Sequence, residues 1–136
     1  MDSSVDTACI VLVEDDPDIQ EAVRDMLTAA GYTITVANNG REALAHLKDT
    51  ERLPCLVIMD VFMPEMNGYE LLKLLRSQDR FVTLPVAVCS ASDDPPPGAA
   101  RYIKKPFELD VLIRVVESFC QRHRRIAAAE PGTHAG

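Results

Sequence analysis

The chain has 136 residues, 47% of them hydrophobic, which is the size and composition of one globular domain with a buried core. Its net charge of −7 and sequence pI near 4.9 argue against nucleic acid as the main ligand, because binding a phosphate backbone needs a concentrated positive surface. The longest purely apolar run, Ala8 to Val13, is far short of a membrane span, and no signal-peptide pattern opens the chain; a soluble cytoplasmic protein is expected, with no membrane partner.

The run ACIVLV (8–13) is short, β-branched and apolar at every position, as expected of a strand covered on both faces of a parallel sheet. It stops at Glu14 and Asp15. Asp16 before Pro17 then forms a helix start, an N-cap acceptor followed by a proline whose missing N–H is not needed. Ile19, Ala22, Val23, Met26, Leu27 and Ala30 make one apolar stripe, which ends at Gly31. YTITVA (32–37) reads as the second strand, and NNGREALAHLK (38–48) as a shorter helix with Leu44 and Leu47 inward. CLVIMD (55–60) is the third strand, apolar until it meets one acid. GYELLKLLRS (68–77) is a helix that buries Leu72 and Leu75, and RFVT leads from it to the fourth strand, LPVAVC (84–89).

RYIK (101–104) is short enough for an edge strand, and a closing helix from Glu108 to Arg125 turns Leu109, Leu112, Val115, Val116 and Phe119 inward. The basic cluster Arg122 to Arg125 falls at the end of that helix, where cations offset the negative end of the dipole. Cys9, Cys55, Cys89 and Cys120 have no C-x-x-C spacing, and three lie in or beside apolar runs. Buried reduced thiols are therefore expected rather than disulfides or a zinc site.

Five strands alternating with at least four helices predict an open, doubly wound α/β fold, since parallel strands need crossover connections that place helices on both faces. Ligand sites in such sheets form at the carboxyl ends of strands. There the sequence places Glu14 and Asp15 after the first strand, Asp60 at the third, Ser90 at the fourth and Lys105 at the fifth. Any one of these could be a solvated loop residue; their joint placement is what points to chemistry. Three converging carboxylates repel one another unless one is protonated or a cation binds among them. An all-oxygen donor set without His or Cys suits a hard ion, Mg²⁺ or Mn²⁺, and the lysine and serine would complete a site for a phosphoryl group.

The stretches VLVEDDPDI, LVIMDVFMPEMNGYELL, PVAVCSAS and YIKKPF, in that order, resemble the receiver domain of bacterial two-component response regulators over roughly residues 8 to 122. The resemblance implies a five-stranded parallel sheet of flavodoxin-like order 2-1-3-4-5, with a receiver domain at 8–125 and a flexible tail at 126–136. It implies that Asp60 is the phosphoacceptor, taking a phosphoryl group from a histidine kinase or a histidine phosphotransfer protein. Asp15 would bind the cation directly, Glu14 through water, and Phe62 by its backbone carbonyl. Lys105 would pair with phosphoryl oxygens, aimed by a cis bond to Pro106. Ser90 would bond the phosphoryl group and Tyr102 would change rotamer with it. Phe62 and Ser92 occupy the positions that tune the lifetime of the acyl phosphate.

Such a chain is a signalling domain rather than an enzyme, catalysing only its own phosphorylation and dephosphorylation, and is expected as a monomer or a phosphorylation-dependent dimer. It is expected to stand alone, without an output module. A phosphorylation-independent pseudo-receiver is the alternative. A Mg²⁺-dependent aspartyl phosphohydrolase is disfavoured, because the acid it needs two residues after the nucleophile is Phe62 here.

Only 14 residues separate Ser90 from Lys105, where the family holds a full fourth helix, and prolines 95 to 97 remove backbone donors. That helix is expected to be reduced or absent. Residues 91–100 are expected to form a mobile loop, with one helical turn at GAAR and a partly uncovered surface near Tyr102.

Overall fold

A computed structural model describes residues 5–62, 65–94 and 96–120. The elements follow one another as β1 (Val5–Val13), α1 (Pro17–Ala29), β2 (Thr33–Ala37), α2 (Gly40–Asp49), β3 (Leu53–Asp60), α3 (Gly68–Arg76), a 3₁₀ turn (Asp79–Phe81), β4 (Val86–Ser90), β5 (Arg101–Lys104) and α4 (Leu109–Phe119). The strands form one parallel sheet in the order β2-β1-β3-β4-β5. The doubly wound topology read from the alternation of elements is therefore present.

Strand alternation divides the core into two layers. Ile10, Leu12, Leu56 and Ile58 face α1 and α4, where Val23, Leu27, Leu112 and Val116 meet them. Val11, Val13, Val57, Met59, Val86 and Val88 face the other layer, with Leu47 of α2 and Leu71, Leu72 and Leu75 of α3. Each such side chain buried in full contributes about 1.5–3 kcal/mol relative to exposure. The central strands have no solvent face, which is why they read as continuous apolar runs.

Helix starts follow local chemistry. Asp16 caps α1, its carboxylate accepting from Asp18 N–H at 2.9 Å. Asn39 caps α2, so that helix begins at Gly40, two residues later than the sequence pattern suggests. Asn67 and Glu70 form a reciprocal capping box on α3. Gly68 is needed there because a Cβ would lie 2.9 Å from Val61 Cα, and its N–H donates to Val61 O at 2.8 Å. The helix thus starts tight against the end of β3.

Four expectations are corrected, the first being the closing helix, which ends at Phe119 rather than running to Arg125 because Cys120 turns to an extended backbone. Cys55 and Cys120 form a disulfide, with Cα atoms 5.4 Å apart, while Cys9 and Cys89 are free thiols. The reason is topological. α4 runs back over the sheet and delivers Cys120 to the edge where β3 begins, so two residues 65 apart in sequence become neighbours. GAAR makes no helical turn; the described part of 91–100 contains only bends and a turn at 97–98. β1 begins at Val5, since Val5 and Asp6 pair with Leu53 and Pro54 ahead of the apolar core.

No helix lies between β4 and β5 among the described residues. The segment is instead tied to α3. Tyr69 Oη donates to Asp94 O at 2.9 Å, and Arg76 donates to Gly98 O. Pro96 is buried, and Ala99 and half-buried Tyr102 pack on the core layer below. The basic cluster 122–125, Pro95 and the 126–136 tail lie outside the described residues.

Candidate functional site

The carboxyl ends of β1, β3, β4 and β5 meet at one edge of the sheet. Registers set this: Asp60 is paired with Cys89, and Ser90 with Lys104. Val61 N–H donates to Cys89 O at 3.3 Å, and Lys105 N–H to Ser90 O at 2.9 Å, so the pairing continues just past the strands.

Carboxylate oxygens of Glu14, Asp15 and Asp60 all lie within 4.8 Å of one another. The Lys105 Nζ donates to Asp60 Oδ2 at 3.1 Å. The Lys105–Pro106 peptide bond is cis, as the resemblance implied. Asp60 also accepts from Phe62 N–H through Oδ1 at 3.3 Å, while Phe62 as a residue is 64% exposed. Ser90 is buried, its Oγ accepting from Ser92 N–H at 3.0 Å. Tyr102 Oη reaches Ser90 O at 3.4 Å. The structure therefore gathers Glu14, Asp15, Asp60 and Lys105 directly, with Phe62 hydrogen-bonded to Asp60, and ties Ser90 and Tyr102 in through β4 and β5.

Electrostatics follow from this crowding. Burial is the main cause that lifts the Glu14 carboxyl above its ordinary range; the charges of Asp60 and Asp15 add to it, while the Asp16 N–H and Lys105 oppose it. Burial pulls the Lys105 ammonium down, but the hydrogen bond and charge of Asp60, with Glu14 behind it, outweigh that and leave it raised. Three acids against one ammonium leave a net negative, all-oxygen cluster. Its donor chemistry fits a hard divalent cation held by carboxylates, with room left for water or a phosphoryl oxygen.

An apolar cleft of about 600 Å³ opens between α1 and α4 and runs up to Asp60 and Lys105; Ile19, Val23, Phe107 and Leu112 help line it. One contributor was not legible in the sequence. Gln20, in the first turn of α1, donates its side-chain amide to Glu14 O and to Asn38 Oδ1. A glutamine there reads as a solvated helix residue, and no spacing signals its two acceptors.

Residues 10–117 match the family described as the response regulator receiver domain. The chain is 35% identical over 128 residues to the probable C4-dicarboxylate response regulator DctR of Bacillus subtilis, covering 88% of this chain and 55% of that protein. It spans about half the length of that and several other curated relatives. Among solved structures, the signal receiver domain of a histidine kinase from Syntrophus aciditrophicus is 32% identical, with a TM-score of 0.75, covering 95% of this chain and 97% of that one. The receiver domain of the sensor histidine kinase PA1611 from Pseudomonas aeruginosa, which has a magnesium ion coordinated in its active site cleft, is 25% identical. Its TM-score is 0.74, covering 84% of this chain and 98% of that one.

Proposed function

The chain belongs to the response regulator receiver domain family, a family of two-component signalling domains, and from that premise we propose that Asp60 is its phosphoacceptor. The observation that carries this is the juxtaposition of Asp60 with the Lys105 ammonium and the Glu14 and Asp15 carboxylates at one end of the sheet.

One Asp60 carboxylate oxygen attacks the phosphorus of a phosphohistidine in line, forming the acyl phosphate. The P–N bond breaks, and its electron pair stays on the imidazole, which takes up a proton. Lys105 holds Asp60 by its Oδ2 before transfer and pairs with phosphoryl oxygens after it. Glu14, Asp15 and Asp60, with the Phe62 backbone carbonyl, would hold Mg²⁺, which supplies neutralisation of the charge gathered on the phosphoryl oxygens. Ser90 then donates its hydroxyl to the phosphoryl group, which draws it from Ser92 N–H, and Tyr102 follows. The phosphoryl donor is a histidine kinase or a phosphotransfer protein, with which receiver domains interact as a class. The cleft beside Asp60 leaves an approach for it.

The phosphohydrolase alternative is not favoured, because Phe62 offers no proton to a leaving group. Incubation with Mg²⁺ and acetyl phosphate tests the reading. A gain of one phosphoryl group in the wild type, absent from Asp60→Asn, is expected. No Asp60-dependent gain, and no Asp60-dependent amide shift with beryllofluoride, would overturn it in favour of a phosphorylation-independent pseudo-receiver.

A further inference from the structure

The peptide unit that joins the two acids of the β1–α1 turn is held from outside the turn. Its carbonyl oxygen, that of Glu14, accepts from the Gln20 side-chain amide. The same nitrogen donates to Asn38 Oδ1 at 2.8 Å. Asn38 is itself fixed, since its N–H and Nδ2 donate to Glu42 Oε1 at 2.8 and 3.1 Å. On the other side of the residue, Glu14 N–H donates to Ala37 O at 3.0 Å. Glu14 is thus clamped through both of its backbone groups, one by the neighbouring strand and one by Gln20.

We propose that Gln20 is a positioning residue for cation binding: it fixes the plane of the Glu14–Asp15 peptide, and so the direction in which the two carboxylates face Asp60. The inference rests on the reading of Glu14, Asp15 and Asp60 as the cation site. Its physical basis is that three carboxylates within 4.8 Å repel one another, and the repulsion acts on the turn carrying two of them. A turn beyond the end of a strand has no ladder bond on its last carbonyl, and Gln20 supplies the missing donor. Both acceptors present only oxygen, so the position requires a donor with two hydrogens, and an amide nitrogen has two. Gln20 touches no reacting atom and acts through the acid pair.

Mg²⁺ titration of the full chain, followed by the amide shifts of the β1–α1 turn and by calorimetry, tests this in wild type, Gln20→Ala and Gln20→Arg. Gln20→Ala is expected to weaken Mg²⁺ binding roughly tenfold, in the range set by residues that orient metal ligands. Gln20→Arg, whose guanidinium is all donor, is expected to restore it. Acetyl phosphate labelling of Gln20→Ala is expected to recover at saturating Mg²⁺, because only the apparent Mg²⁺ requirement changes. Wild-type Mg²⁺ affinity in Gln20→Ala overturns the proposal, as does failure of arginine to restore binding or failure of saturating Mg²⁺ to restore labelling. Absence of Mg²⁺ binding in the wild type would instead overturn the cation-site reading itself, so the two failures are distinguishable.

Discussion

Arg76 donates from Nε and Nη2 to the carbonyl oxygen of Gly98, at 3.1 and 2.8 Å, and from Nη1 to Phe81 O at 2.9 Å. One side chain of α3 therefore ties down both the 3₁₀ turn before β4 and the proline-rich segment after it. Gly98 is suited to its end of the clamp, because its φ of 95° is strained for other residues and a Cβ would sit 3.3 Å from Arg76 Cγ. The segment that stands in place of a helix is held from below.

Arg76→Ala is expected to speed amide exchange at Gly98, Ala99 and Ala100 while leaving β1 and β3 protected. Arg76→Lys is expected to behave like alanine, since one ammonium cannot reproduce a planar fork that serves two carbonyls. Unchanged exchange in Arg76→Ala would show that buried Pro96, the Tyr69 bond to Asp94 O and the Ala100 bond to Val86 O hold the segment without Arg76.

How much was legible in the sequence divides along physical lines. β3 and β4 and the sheet layers were readable because strands covered on both faces must be apolar throughout. Glu14, Asp15 and Asp60 stood out because each ends or follows such a run, and Lys105 because it follows the short edge strand before Pro106. The N-cap at Asp16 was readable because capping is local chemistry. The Cys55–Cys120 disulfide was not, because a pairing across 65 residues depends on where α4 returns. The clamp by Arg76 and the Gln20 contacts share that property: each joins side chains to backbone carbonyls that only the fold brings near. GAAR has good helix formers, yet Gly98 adopts positive φ and Ala100 N–H donates to Val86 O at 2.8 Å, so sheet pairing displaces the helical turn.

Phe62 bears on the lifetime of the acyl phosphate. Its N–H is engaged with Asp60 Oδ1 at 3.3 Å, while the residue as a whole stays largely in solvent. An apolar ring at this position cannot orient a water for attack on phosphorus, so slow self-dephosphorylation is expected. Phe62→Asn, which offers an amide to that water, should lose its phosphoryl group several-fold faster in a decay measurement after the donor is removed. Slower or equal decay in the asparagine variant refutes this account of Phe62.

The disulfide gives a stability prediction with its own control. Closing a long loop restricts the unfolded chain, so oxidised wild type should exceed Cys120→Ser by about 2–4 kcal/mol in urea denaturation. Reductant should bring wild type down to the variant and leave the variant unmoved. Alkylation of the denatured, unreduced protein should label Cys9 and Cys89 alone.

Cys89 makes the alkaline limb of stability diagnostic. Its thiol is buried beside Ser90, and burial pushes its pKa up from 9.0 to about 12; Lys105 opposes this, while Asp60 and Glu14 add to it. The folded chain keeps this proton where the unfolded chain has lost it. Stability from this group is therefore full below pH 9.0 and declines as pH rises through about 12. Lys105, also raised, contributes with the same sign, so Cys89→Ala should make the alkaline loss of stability shallower without abolishing it. Urea midpoints across that range check this, and native-state alkylation near neutral pH should spare Cys89 because the thiolate is the reactive form. A loss as steep in Cys89→Ala as in wild type would mean that the buried thiol does not hold its proton in the fold.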